Sequence, residues 1–174
     1  MRKSAVPRNP SYFDTYMNQV EDIDLSEAFR QSIAAIDTLD LDKLHTIGDR
    51  VYAPGKWTIR DIIQHITDCE RVFAYRALRF ARNDDTILPG FDENLFAEYA
   101  GANRLSLAEI LAELRIVREG SRCLFESFDE TALRRTGTMY KAELPVLAIG
   151  FTLIGHQIHH FRIMEERYFS LLNT

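Results

Sequence analysis

Cysteine is scarce in this chain. Two residues, Cys69 and Cys123, stand far apart in a sequence of 174. That excludes a disulfide framework, and both thiols are read as free and buried on apolar helix faces. Long apolar runs are missing too. The longest, Leu144 to Ile154, falls well short of the roughly 20 residues a membrane span needs, and it runs into histidines. Ser4 to Ser11 holds two prolines and no apolar stretch, so no targeting segment is read behind Met1-Arg2-Lys3. There is no excess of positive charge: the net charge of -5 argues against a nucleic-acid partner. A cytoplasmic protein that binds neither membrane nor nucleic acid is expected.

Several chemistries are absent by motif. The sequence contains no G-x-S-x-G, no phosphate-binding P-loop and no His-Glu-x-x-His. The Glu-x-x-His pairs of di-iron bundles are also missing. No internal repeat and no strand ladder is evident.

What is present is helical periodicity. With 46% hydrophobic and 27% charged residues the chain is globular, and its length suits one domain over residues 1–174, with residues 1–10 as a loose arm. A short amphipathic helix is expected near residues 12–20. Asp24 caps a second helix with Glu27 at capping-box spacing, and this helix should end near Leu39. Residues 40–48 are mixed. Pro54-Gly55 marks a turn into a helix capped by Thr58 and running from Ile59 to Ala81. A short helix near Asp92 to Ala100 precedes one opened by Ser106 and Glu109. Leu107, Ile110, Leu111, Leu114, Val117, Ser121 and Leu124 form its stripe, and it should end near Phe128. The last helix is expected from Leu144 to about Leu171. Four substantial helices with long connections predict an all-α four-helix bundle with at least one crossover.

Histidine placement is the strongest chemical signal. His65 lies in the apolar stripe of one helix, between Ile62 and Cys69. His156 and His160, four residues apart, share the apolar face of the last helix with Ile149, Leu153 and Met164. His159 points about 100° away from His160, towards a face carrying Thr152, Gly155, Arg162 and Glu166, which reads as polar. It is excluded from the site, and His45 is given no role. Three neutral imidazoles from two helices suit Zn, Ni, Fe, Cu or Co, with positions left open for water or substrate. Asp68, three residues after His65, is the candidate catalytic carboxylate, as base or as orienting group. A solvated helix carboxylate is the plainer reading of it. Glu70, Glu165 and Glu166 are within reach of the site, but surface pairs with Arg71, Arg162 and Arg167 are the expectation for them. Cys69, one turn beyond His65, is a weaker candidate ligand or nucleophile.

These residues resemble a known family. Gly55-Lys56-Trp57-Thr58, followed by Ile62-Ile63-Gln64-His65-Ile66-Thr67-Asp68, is similar to the second-helix signature of the DinB/YfiT-like superfamily. His156-Gln157-Ile158-His159-His160 resembles the fourth-helix signature of its YfiT-like, bacillithiol-transferase-like branch. Gly90-Phe91-Asp92-Glu93-Asn94 resembles that branch's connection. The resemblance implies a four-helix bundle whose metal ligands are His65, His156 and His160, holding Zn, Ni or another divalent ion, and a homodimer. It also implies a small-molecule substrate. The activities it implies are transfer of a low-molecular-weight thiol to an electrophile, thiol-dependent isomerisation, or metal-dependent hydrolysis. The chain departs from the branch at Gly155, where an aromatic residue is common, and at Ile163-Met164, where a further histidine is common.

Overall fold

In the computed structural model, which describes residues 1–7 and 13–173, the expected bundle is present. Its four long helices are α2 (Leu25–Asp37), α4 (Ile59–Ala81), α6 (Leu107–Glu126) and α8 (Val146–Ile163). Shorter helices α1 (Asp14–Met17), α3 (Leu41–Ile47), α5 (Glu93–Ala100) and α7 (Glu130–Arg134) fill the connections. The helix expected near residues 12–20 is seen as α1, and its first residue lies outside the described ones.

Local chemistry explains the boundaries. Thr58 Oγ1 accepts from the Asp61 backbone N–H at 3.1 Å, and the Asp61 carboxylate accepts from the Thr58 N–H at 2.9 Å, closing a capping box on α4. Ser106 and Glu109 repeat this on α6. Each such cap contributes about 1 kcal/mol to its helix. Asp24 caps α2 through the Ser26 N–H alone, while Glu27 turns to Arg30 and Gln31 instead of closing a box.

α2 and α4 each pack on both α6 and α8, so α2 lies diagonally across the bundle from α4, and α6 from α8. Each diagonal needs a crossover. The first carries α3, where mixed structure was expected. The second carries α7 and an antiparallel hairpin, β1 (Thr136–Met139) and β2 (Ala142–Pro145). No strand was expected here, because four-residue strands display too little alternation to stand out. Leu144 and Pro145 therefore belong to β2, and α8 starts at Val146. It ends at Ile163, and a π turn and a 3-10 turn carry the chain to Asn173. Gly137 lies flat against Phe80, where a Cβ would come within 2.1 Å of the ring. The hairpin also clasps the α4–α5 connection through Tyr140 N–H to Leu88 O at 2.7 Å and Leu88 N–H to Thr138 O at 3.0 Å.

The N-terminal residues differ from the expected loose arm. Arg2 forms a β-bridge with Asp24, and Ser4 N–H donates to Asp22 at 2.8 Å. Residues 8–10 of that expectation lie outside the described ones. No helix among the described residues is long and apolar enough to cross a membrane.

The bundle core is two apolar clusters. One gathers Phe29, Phe80, Phe125, Phe151 and their neighbours, and the other Ile36, Ile63, Ile66, Leu114 and Met164. Between them lies a polar layer. Arg118 of α6 is fully buried, where the expected stripe had Val117. Its Nε donates to Glu70 of α4 at 2.9 Å, Nη1 to Ser32 of α2 at 3.0 Å, and Nη2 to the Leu153 carbonyl of α8 at 3.2 Å. Gln157 Nε2 adds a bond to the Ser32 carbonyl at 2.8 Å. All four helices meet at this layer. Glu70 is thus the buried partner of Arg118 and not a surface partner of Arg71, because α4 turns it inward, where only a cation offsets its desolvation.

Candidate metal centre

His65 stands almost two turns into α4, and His156 and His160 stand on the adjacent face of α8. His65 Nε2 and His156 Nε2 are 3.1 Å apart, and His160 Nε2 is 3.1 Å from the same His156 Nε2. The three rings meet nearly edge to face, with the His65 and His160 centroids 4.9 Å apart. The structure therefore sets His65 and His160 each against His156, while the group whose ligand atoms all lie within 4.8 Å of one another is His65, Cys69 and His156.

A neutral imidazole nitrogen carries either one proton or one lone pair. His156 Nε2 can make one good hydrogen bond, yet it faces two nitrogens at 3.1 Å. A shared cation relieves this. With metal–nitrogen bonds of about 2.0–2.1 Å, ligand nitrogens lie about 2.9 Å apart at octahedral angles and about 3.4 Å apart at tetrahedral ones. The observed 3.1 Å falls between these values. Burial pushes His65 down to about 4. His160 falls to about 3, through burial first and then His65 and His159. His156 sits well below its ordinary value for the same reasons. All three are neutral at physiological pH, the form that coordinates a metal. The donor set fits a divalent transition metal.

The surroundings hold the rings in place. Trp57 packs on His65 with centroids 4.7 Å apart, and the Tyr168 hydroxyl donates to the Trp57 carbonyl. Tyr16 of α1 meets His156 edge-on at 5.1 Å. Cys69 places its sulfur 3.6 Å from His65 Nδ1 and 3.8 Å from Nε2. Ligand atoms of His65, Cys69 and His156 all fall within 4.8 Å of one another, close enough to hold an ion. Burial, followed by Glu93 and Asp68, pushes the Cys69 thiol up to about 12, so by itself it is protonated.

Asp68 has different partners. Its carboxylate accepts from Gln64 Nε2 at 3.0 Å and faces Arg71 at 3.5 Å. Among the described residues no histidine forms a hydrogen bond or ion pair with it, and it lines neither cavity described below. His159 stays out of the cluster, and its face is polar and exposed only beyond it, at Arg162 and Glu166. Thr152 and Gly155 are buried, and His159 meets the ring of Tyr16 at 5.5 Å, because α1 covers this side of α8. A Cβ on Gly155 would lie 2.0 Å from the Tyr16 carbonyl oxygen, which excludes the aromatic residue common in the resembling branch. Cys123, expected to be buried, is exposed. Arg162 pairs with Glu166 at the surface, as expected.

Two cavities reach the histidines. The larger, about 690 Å³, is lined in part by His65, His156 and Cys69. Its walls include Phe13, Tyr16, Phe73, Arg76 and Phe91. The smaller, about 250 Å³, reaches His160 between Tyr52, Trp57 and Tyr168. Sequence reasoning missed these walls. The signal for Arg76 was available: eleven residues after His65, it returns to within about 20° of the same helix face. Phe13 and Tyr16 had no such signal, because the packing of α1 on α8 is a long-range event.

A family profile for the DinB superfamily matches residues 24–164, and the chain belongs to that superfamily. No curated protein matches it significantly. Among solved structures it is similar to YfiT from Bacillus subtilis, described as "a probable metal-dependent hydrolase with an unusual four-helix bundle topology". The TM-score is 0.63 at 18% identity, over 92% of this chain and 89% of that one. At that identity the likeness is one of fold.

Proposed function

We propose that this member of the DinB superfamily is a metal-dependent enzyme acting on a small molecule, with His65, His156 and His160 as the ligands of one divalent ion, Zn or Ni before Fe. The observation that carries this reading is that His65 and His160 each bring a neutral Nε2 to 3.1 Å from His156 Nε2, with His65 and His156 lining an open cavity. Such an ion, when bound, lowers the pKa of a water or thiol and polarises an electrophile. The protein's own part is to fix the three rings, with Trp57 and Tyr16 as their packing, and to surround the reactants with apolar walls.

The description of YfiT supports hydrolysis, and the family resemblance supports transfer of a low-molecular-weight thiol. Two cavities meeting the cluster from different sides favour two reactants, one reaching His65 and His156 and the other reaching His160. A transferase needs that arrangement, whereas a hydrolase needs room for one organic substrate and water. We therefore place thiol transfer first.

The first test is metal content by mass spectrometry on protein purified without a histidine tag, beside His160→Ala. One ion per chain, lost in the variant, supports the site. A panel of thiols with electrophilic acceptors then separates the activities: turnover with acceptor alone identifies a hydrolase. No ion in the wild type, even after incubation with Zn or Ni, would remove the basis of the reading. Cys69 favours one alternative, a closed site in which its sulfur is the fourth ligand and the ion only staples the bundle. That alternative predicts a lower melting temperature on metal removal and no turnover with any pair.

A further inference from the structure

Arg76 is 5% exposed, yet none of the described carboxylates forms an ion pair with it. Arg118, the other buried arginine, has Glu70 at 2.8 Å. Arg76 instead donates to the Pro89 carbonyl at 2.7 Å and, weakly, to the Met139 sulfur at 3.6 Å. Its guanidinium carbon lies 5.1 Å from the Phe73 ring centroid and 5.5 Å from that of Phe91. A guanidinium has five N–H donors in a fork that matches a carboxylate. Two are engaged here, one of them on sulfur, and the residue lines the large cavity.

The position within that cavity is specific. His65, Cys69, Phe73 and Arg76 follow one another along one side of α4, all on the cavity wall. At 1.5 Å per residue, Arg76 stands roughly 16 Å along the helix from His65. The other charged residues on the wall, Glu93, Lys141 and Glu143, are solvent-exposed. The cavity wall thus carries His65, Cys69 and His156 together with a buried cation further along α4, its guanidinium lying over the rings of Phe73 and Phe91. Burial lowers the pKa of Arg76, and its partners are a carbonyl, a sulfur and two aromatic faces, none of them an anion.

We propose that this cavity takes an organic anion, a small carboxylate with an apolar or aromatic body, whose carboxylate forks onto Arg76 while its far end reaches the histidines. The assignment of the reactive end rests on the metal-enzyme reading above. The assignment of the anion to Arg76 does not. A cavity of about 690 Å³ is of the size that encloses such a molecule. Arg76 is then the residue that orients it, and the aromatic walls bury its body.

The test uses metal-free protein, its metal content checked by mass spectrometry, so that no carboxylate is captured by an ion. The probes are 4-phenylbutyrate and its uncharged amide, titrated calorimetrically against wild type, Arg76→Gln and Arg76→Lys. Charge-assisted pairing predicts that the acid binds wild type about 10- to 100-fold more tightly than the amide. Arg76→Gln should abolish that preference by bringing the acid down to the affinity of the amide, whose retained binding shows that the cavity is intact. Arg76→Lys should keep part of it. Equal affinity of acid and amide for wild type, absence of binding by both, or a preference that survives in Arg76→Gln would each overturn the proposal. If Arg76→Gln does not fold, the wild-type comparison and Arg76→Lys decide. A metal-free wild type that prefers the acid keeps this proposal even if no ion is ever found, and the reverse result leaves the metal site standing with a different substrate.

Discussion

Arg118 Nη2 donates to the carbonyl oxygen of Leu153 at 3.2 Å, three residues before His156 on the same helix. The same guanidinium holds Glu70 and Ser32. α8 is therefore tied to the three other long helices one turn from its first candidate ligand. Position and stability meet in this layer.

Glu70→Gln should expose the cost of that arrangement. It leaves the Arg118 charge in a fully buried site without an anion, and loss of one partner of a buried pair costs about 3–5 kcal/mol. Replacing both, Glu70→Leu with Arg118→Met, should recover most of the loss, since a well-packed apolar pair avoids the desolvation. Urea midpoints of the single and double variants check this. A single variant as stable as wild type would show that the pair contributes no such constraint.

Helix placement was legible in the sequence where caps are local. Thr58–Asp61 and Ser106–Glu109 marked the starts of α4 and α6, and both boxes close. That His65, His156 and His160 lie on the apolar faces of their helices was legible because helical periodicity sets the face each occupies, whereas their meeting at His156 Nε2 comes from the packing of α8 on α4. The hairpin and α7 were not, because four or five residues carry too little pattern. Glu70 was misread because its partner, Arg118, lies 48 positions away, and charge by itself suggests a surface. Asp68 was reached through spacing from His65. Its partners are Gln64, four residues before it, and Arg71, three after it, so the same helical spacing also carried the plainer reading of a helix carboxylate paired along α4.

The histidines predict an acid-labile apo protein. Unfolded, each titrates near 6.5. Folded, His65 titrates at about 4, His160 at about 3 and His156 well below 6.5. Between those values the unfolded state binds more protons, so stability rises with pH through the window and is lost as pH falls from about 6.5. Each histidine contributes up to about 1.4 kcal/mol per pH unit, and His65 stops contributing below about 4. Denaturant midpoints of metal-free protein between about pH 7 and pH 5 should fall, and His160→Gln should flatten the slope. A flat wild-type profile would mean that the rings are not buried as described.

Gly155→Ala should loosen α1 from α8. The new Cβ would sit 2.0 Å from the Tyr16 carbonyl oxygen and 2.4 Å from its carbon. These are backbone atoms, so no rotamer change relieves the clash. Overpacking of this kind costs about 1–3 kcal/mol. Because Phe13 and Tyr16 also line the large cavity, the variant should weaken binding of the 4-phenylbutyrate probe along with the lowered melting temperature. An unchanged melting temperature would place α1 elsewhere.

The two thiols should react very differently. Cys123 is exposed, and Cys69 is 6% exposed with its thiol pushed up to about 12. The thiolate is the nucleophile, and with a pKa near 12 only about one Cys69 in ten thousand is ionised at pH 8. Brief iodoacetamide treatment of native, metal-free protein should therefore add one label per chain, located on Cys123 by peptide mass spectrometry. Denaturant should raise that to two. Cys69 borders the large cavity, so a small reagent can approach it; its protonation and burial, rather than distance from solvent, are what protect it. Labelling of Cys69 as fast as Cys123 would show a thiolate beside His65, and would move Cys69 from a wall of the site to a reactive group within it.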